Sequence, residues 1–284
     1  MTIRKTSSNK NSPAGVPSLA DGRARTKDWF ALVVLMLPVI LISVDNTVLS
    51  FALPVISEAL GPSAAAQLWI VDAYPLVLAG LLVTMGSLGD RWGRRRMLLI
   101  GASGFGLVSV GAAFVPNAEM LILARVGLGF FGAMLMPSTL SLLRSIFTNR
   151  QQRRLAIAIW ATGFSAGAAL GPIVGGLLLE RFGWGSVFLI AVPVLLPLLM
   201  LAPFLIPESK DPNPGRIDPM SIVLSMVTLV PLVFAIKQFA TEGFQPIEIV
   251  LVAAGVAAGL VFVRRQLSRE NPMLDMRLFQ NRVF

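Results

Sequence analysis

Eight apolar runs separated by short polar connections occupy the chain from Trp29 to Val263, and they restrict its possible folds more than any other feature. They cover residues 29–53, 68–88, 97–115, 120–143, 155–179, 187–206, 220–236 and 246–263. Each can cross a hydrocarbon layer of ~30 Å at ~1.5 Å per helical residue. A spanning segment must satisfy its own backbone hydrogen bonds, so each run is predicted to be a helix. The chain is 55% hydrophobic and only 14% charged, against about 25% charged in soluble domains. The expected fold class is therefore an all-α polytopic membrane protein.

Lysine and arginine are distributed unevenly between the connections. Alternate connections, counting both termini, hold 21 of them against 2, with Arg125 inside a run. That alternation is the pattern of the positive-inside rule, and it predicts both ends of the chain on the cytosolic side. It also accounts for the net charge of +9 without nucleic acid, since the basic residues form short clusters between spans rather than one folded face. The absence of histidine and cysteine excludes disulfides, thiol nucleophiles, Cys/His zinc sites and Ser-His-Asp catalysis from this stretch. No enzyme is expected, and no metal or cofactor.

Residues 1–28, rich in Ser, Asn, Pro, Lys and Arg, read as a disordered cytosolic tail with no signal peptide. Gly163, Gly167, Gly171 and Gly175 recur every fourth residue in the fifth run. Small residues at that spacing let helices approach closely in lipid, and Pro172 should bend or loosen the same helix. Gly255 and Gly259 repeat the spacing in the eighth run.

Asp45, Asp72 and Arg125 are the ionisable residues read as buried within the spans. Counting from the run ends places all three at one level, roughly 6–9 Å inside the outer edge of the apolar layer. Charges at that depth are costly and mark functional sites by default. A static ion pair or snorkelling to the interface is the alternative. In general a carboxylate removed from water holds a proton more readily, and a neighbouring arginine opposes this. Such a carboxylate can take a proton or an organic cation but gains little from both, which is the minimal physics of exchange. Trp69, Tyr74 and Trp160 are candidate ring contacts for a flat cation, or else interface anchors and packing residues.

The motifs carry a resemblance. Gly86-Ser-Leu-Gly-Asp-Arg-Trp-Gly-Arg-Arg-Arg96 resembles the signature loop of the major facilitator superfamily. Its glycines suit a tight turn, and Asp90 can accept hydrogen bonds near a helix N-terminus. Arg125-Val-Gly-Leu-Gly-Phe-Phe-Gly-Ala133 resembles the fourth-span motif, and the stretch from Gly163 to Gly176, with Gly171-Pro172 and Gly175-Gly176, resembles the fifth-span motif of exporters. Asp45-Asn-Thr-Val-Leu-Ser-Phe-Ala-Leu-Pro54 is similar to the first-span motif of fourteen-span drug:proton antiporters. Gln67-Leu-Trp-Ile-Val-Asp-Ala-Tyr74, Met136-Pro-Ser-Thr-Leu-Ser141 and Pro272-Met-Leu-Asp-Met-Arg-Leu-Phe279 resemble the Qac-type exporters of quaternary ammonium compounds and the methyl viologen and acriflavine exporters.

The resemblance implies a six-helix N-terminal bundle of two inverted three-helix repeats over 29–206, a cytosolic linker over 207–218, two extra transmembrane helices over 219–265, and a cytosolic segment over 266–284 leading towards a second bundle. It implies proton-driven export of lipophilic cations such as dyes, biguanides and quaternary ammonium antiseptics across the bacterial plasma membrane, with the proton gradient as energy source. Asp45, Asp72 and Arg125 would handle substrate and proton, while Gly86, Asp90, Arg91, Gly93 and Arg94 would form a gating loop. The second bundle is not among these residues, so the chain alone is not expected to transport. Export of another small metabolite, or service as a non-transporting assembly partner, are the competing readings.

Overall fold

The computed structural model describes residues 23–212, 218–242 and 245–269. The expectations for 1–22, 213–217 and 270–284, including the motif from Pro272 to Phe279, lie outside them. The described residues form helices α1 (Thr26–Leu60), α2 (Ala64–Trp92), α3 (Arg94–Ala112), α4 (Ala118–Ile146), α5 (Arg150–Phe182), α6 (Ser186–Leu189), α7 (Ala191–Leu205), α8 (Pro219–Glu242) and α9 (Pro246–Ser268), and no strand.

The long helices overrun their apolar runs, because a helix stops at a cap rather than where hydrophobicity ends. Ser63, Asn117 and Asn149 each place a side-chain oxygen on backbone N–H groups of the first turn that follows. Asp28 accepts the Arg25 N–H at 2.7 Å, so α1 begins at Thr26, inside the segment expected to be a disordered tail.

Among the described residues, seven helical stretches are long and apolar enough to cross a membrane by length and composition. The remaining one of the eight runs falls on α3, whose first turn is Arg94-Arg95-Arg96 and whose body carries Gly101, Ser103, Gly104, Gly106, Ser109 and Gly111. It stays in the bundle through close packing, for at Gly104 a β-carbon would collide with the Phe131 ring of α4. The sixth span is broken at Ile190 into α6 and α7, where Pro193 lacks the N–H that would bond the Leu189 carbonyl. By contrast, α5 runs unbroken past Pro172.

The packing pattern is symmetric under exchange of the first three spans with the next three. α1 packs on α5 as α4 packs on α2, and α3 packs on α4 as α7 packs on α1. Two three-helix repeats produce this pattern. The glycine stripe of α5 is buried against α1: Gly163 meets Val39, Gly167 meets Ile40 and Ser43, Gly171 meets Thr47, and Gly175 meets Val48. The Ser43 hydroxyl donates to the Phe164 carbonyl across the contact at 2.6 Å. Gly176 faces open space and takes no part in this approach. The hairpin α8–α9 packs on the rest through α2. Large apolar side chains such as Leu107, Leu123 and Phe204 stand outward at 70% exposure or more, as a lipid-facing perimeter requires.

Candidate functional site

The α1–α5 contact fixes the face of α1 that carries Asp45, and the α2–α4 contact fixes Arg125. Gly129 of α4 lies so close to the Tyr74 carbonyl and Val77 of α2 that a β-carbon would clash. That approach lowers Arg125 between α1 and α2. Its Nη1 donates to Asp45 Oδ2 at 2.6 Å, and its Nε donates to the Ile70 carbonyl at 3.0 Å. The guanidinium carbon stands 4.5 Å from the centroid of the Tyr74 ring, a cation–π geometry. Tyr74 packs edge-on against Phe105 at 6.3 Å. Arg125 and Tyr74 are wholly buried, whereas Asp45 keeps 8% exposure. Arg125 Nη2 and the Tyr74 hydroxyl have no hydrogen-bond partner among the described residues.

This arrangement is a buried cation matched by one carboxylate. Breaking such a pair by removing one partner costs about 3–5 kcal/mol, because the other charge is left uncompensated. Asp45 is bound through Oδ2 and retains an edge of exposure. It is therefore the member of the pair with an exposed edge.

Three charges were expected at one level, and the structure divides them. Asp45 and Arg125 meet, while Asp72 is turned towards α8. There it lines a narrow cleft with Leu68, Trp69, Leu76, Phe234 and Gln238. Trp69 stacks on Phe234 with centroids 5.4 Å apart and planes 18° apart. Of the other candidate ring contacts, Tyr74 lies beneath Arg125. Trp160 is buried on α5, edge-on to Phe164 at 5.5 Å, with Nε1 lacking a hydrogen-bond partner among the described residues.

The signature loop is a latch. Gly93 ends α2 at φ 115°, ψ 128°, a region for glycine, and a β-carbon there would also strike the Glu208 carboxylate. Glu208 caps α3 from a distance: its oxygens accept the Arg95 and Arg96 N–H groups at 3.0 and 3.2 Å. Asp90 accepts from Arg94 Nε at 2.9 Å, and the Asp90 carbonyl accepts the Asp211 N–H at 2.9 Å. The Arg94 N–H in turn donates to the Ser209 carbonyl at 2.9 Å. Gly86 rests against Pro137 of α4, and Arg91 is exposed.

Residues that sequence reasoning missed follow from these contacts. Glu208 and Ser209 are latch partners, and a lone acid just after an apolar run, in Pro207-Glu208-Ser209, was the available signal. Glu248, within the eighth run, is buried with Oε1 unpartnered among the described residues. Asp218 was read only as linker. It accepts Arg265 Nε and Nη2 at 2.8 and 3.0 Å and the Ser221 hydroxyl at 2.7 Å, clasping α8 to α9. These bonds hold the Asp218 carboxyl well below the usual carboxylate range, with the Arg265 hydrogen bond the largest cause, against the opposing effect of burial.

The chain is 62% identical over 266 residues to the multidrug efflux pump LfrA of Mycolicibacterium smegmatis, covering 94% of this chain and 52% of the relative. It is 40% identical over 260 residues to the methyl viologen resistance protein SmvA of Salmonella typhimurium, covering 90% and 52%. The chain thus spans about half the length of the curated relatives it matches. In fold it is similar to a bacterial homologue of the human lysosomal transporter Spinster, in an inward-facing, unoccupied crystal structure. The TM-score is 0.56 at 19% identity, covering 86% of this chain and 61% of that one. Residues 35–267 match the Major Facilitator Superfamily, and this multi-pass membrane chain belongs to it.

Proposed function

We propose that these residues carry one wall of the cavity in a multidrug exporter that exchanges lipophilic organic cations for protons across the bacterial plasma membrane. The observation that carries this reading is the Asp45–Arg125 pair: a fully buried guanidinium balanced by a single, partly accessible carboxylate. A proton on Asp45 cancels the charge that holds Arg125. So does an organic cation that takes the carboxylate for itself. Either leaves a buried cation with only the Ile70 carbonyl and the Tyr74 ring as partners, an arrangement costly enough to drive rearrangement of α1 against α4. The two ligands compete for one charge, so their occupancy alternates.

The names of the similar proteins, a multidrug efflux pump and a methyl viologen resistance protein, favour lipophilic cations as cargo, quaternary ammonium compounds among them. Two acidic groups with low exposure also disfavour anions by Coulomb repulsion. The lysine and arginine distribution supports a cytosolic position for the Asp90–Glu208 latch. There it would open and close as a gate.

The test is proton-driven ethidium efflux from cells carrying the complete natural polypeptide that contains these residues. Asp45→Asn, which removes one member of a buried ion pair, and Asp72→Asn, which removes a buried carboxylate, should each lower efflux at least about tenfold. Wild-type rates in both variants would remove the carboxylates from the mechanism.

A further inference from the structure

The seam between α2 and α8 holds an arrangement that the Asp45–Arg125 pair does not use. Trp69 and Asp72 are three residues apart on α2, so they project from one face as neighbours. Across the seam, the Phe234 ring lies flat on the indole, and Gln238 supplies the cleft's other polar side chain. The free space is about 10 Å³, at the lower limit for a single water. No organic ligand fits while α8 is seated.

The seam is also built to close tightly without covalent attachment. The Ser225 hydroxyl donates to the Gly80 carbonyl at 3.2 Å, and the Met226 thioether lies against the bare Gly80 backbone, where any β-carbon would collide. At the other end of the hairpin, Asp218 and Arg265 tie α8 to α9. Freeing α8 from α2 would leave the hairpin intact, because the Asp218–Arg265 tie lies within it.

Phe234 offers the indole a neutral ring. A flat aromatic cation on the same face would gain the same stacking, a cation–π attraction to the indole, and the charge of Asp72 beside it. We propose that Trp69, Asp72, Phe234 and Gln238 form a capped subsite for flat aromatic cations, with Phe234 as an internal occupant that such a cation displaces. The proposal rests on the reading of the protein as an exporter of lipophilic cations. It makes α8 a specificity element rather than a spacer.

The experiment uses the complete polypeptide in lipid nanodiscs, with ethidium as the flat aromatic probe and tetrapropylammonium as a cation without a ring. Phe234→Ala should tighten ethidium binding about three- to tenfold by removing the competitor, and leave tetrapropylammonium within about twofold. Trp69→Ala should weaken ethidium by about threefold or more. Phe234→Leu, which keeps apolar bulk but no ring, should act in the same direction as Phe234→Ala and guards against a folding defect. A disulfide between Gly80→Cys and Met226→Cys, with Phe234 in place, should abolish ethidium binding until it is reduced. The proposal is overturned if both Phe234 variants bind ethidium like the wild type, or if the locked seam binds it as well as the reduced one. Absence of proton-driven ethidium efflux by the complete wild-type polypeptide would instead overturn the exporter reading, whatever the Phe234 variants do.

Discussion

Arg125 has no exposure and is held by one carboxylate, one carbonyl and one ring. Removing its counter-charge isolates a buried cation. Asp45→Asn is accordingly expected to destabilise the folded protein by about 3–5 kcal/mol, measured as a lowered midpoint of denaturant unfolding in detergent. The double change Asp45→Leu with Arg125→Met should recover most of that stability, because apolar side chains of similar volume often replace a buried pair without loss. It should not recover efflux. Restored transport in the double variant would show that the pair is structural and nothing more.

At the scale of elements, the same fifth-span motif contains glycines with different duties. Gly171 lets Thr47 of α1 come against the α5 backbone, whereas nothing approaches Gly176. Gly171→Val should cost about 1–3 kcal/mol or more through overpacking, while Gly176→Ala should be neutral or stabilising by up to about 1 kcal/mol. Parallel thermal unfolding of the two variants checks this. Equal losses would mean that helix propensity, not the α1–α5 approach, governs the motif.

The α8–α9 clasp gives a pH prediction. The folded Asp218 carboxyl sits below its ordinary value, so its contribution is fully present above the unfolded carboxylate range, near ~4. It is lost as pH falls through and below that range towards the folded value. Accessibility of cysteines placed along α8 should therefore be flat between pH 5 and 8 and rise only in stronger acid. In Asp218→Asn it should be raised already at neutral pH. A transition near pH 6 to 7 in the wild type would assign the clasp to another group.

For the whole molecule, the share of the relatives that the chain covers sets the expectation. A rocking mechanism needs two bundles around one cavity, and these residues correspond to about half the length of the matched relatives. Expressed alone, the 284-residue chain should insert in the membrane yet give no proton-driven ethidium efflux above vector controls. Efflux by this chain alone would require that it complete the cavity with a second copy of itself.

The amino-acid sequence by itself determined the class of solvent, the helical character of the spans, the family and the identity of the costly charges. These depend on local quantities: run length, the backbone's need to bond within its own segment, and the rarity of Asp and Arg in apolar runs. The glycine stripe was legible for the same reason, since a four-residue period puts small residues on one helix face. What the sequence left open was pairing. Counting along the runs placed Asp45, Asp72 and Arg125 at similar expected depths, but depth says nothing about rotation about the helix axis. Only the α1–α5 and α2–α4 contacts turn Asp45 towards Arg125 and leave Asp72 to α8. Glu208 and Asp218 escaped notice because their partners, at Arg95–Arg96 and Arg265, are remote in the chain. Tertiary structure decided those contacts, because which charges meet depends on the directions in which packed helices face.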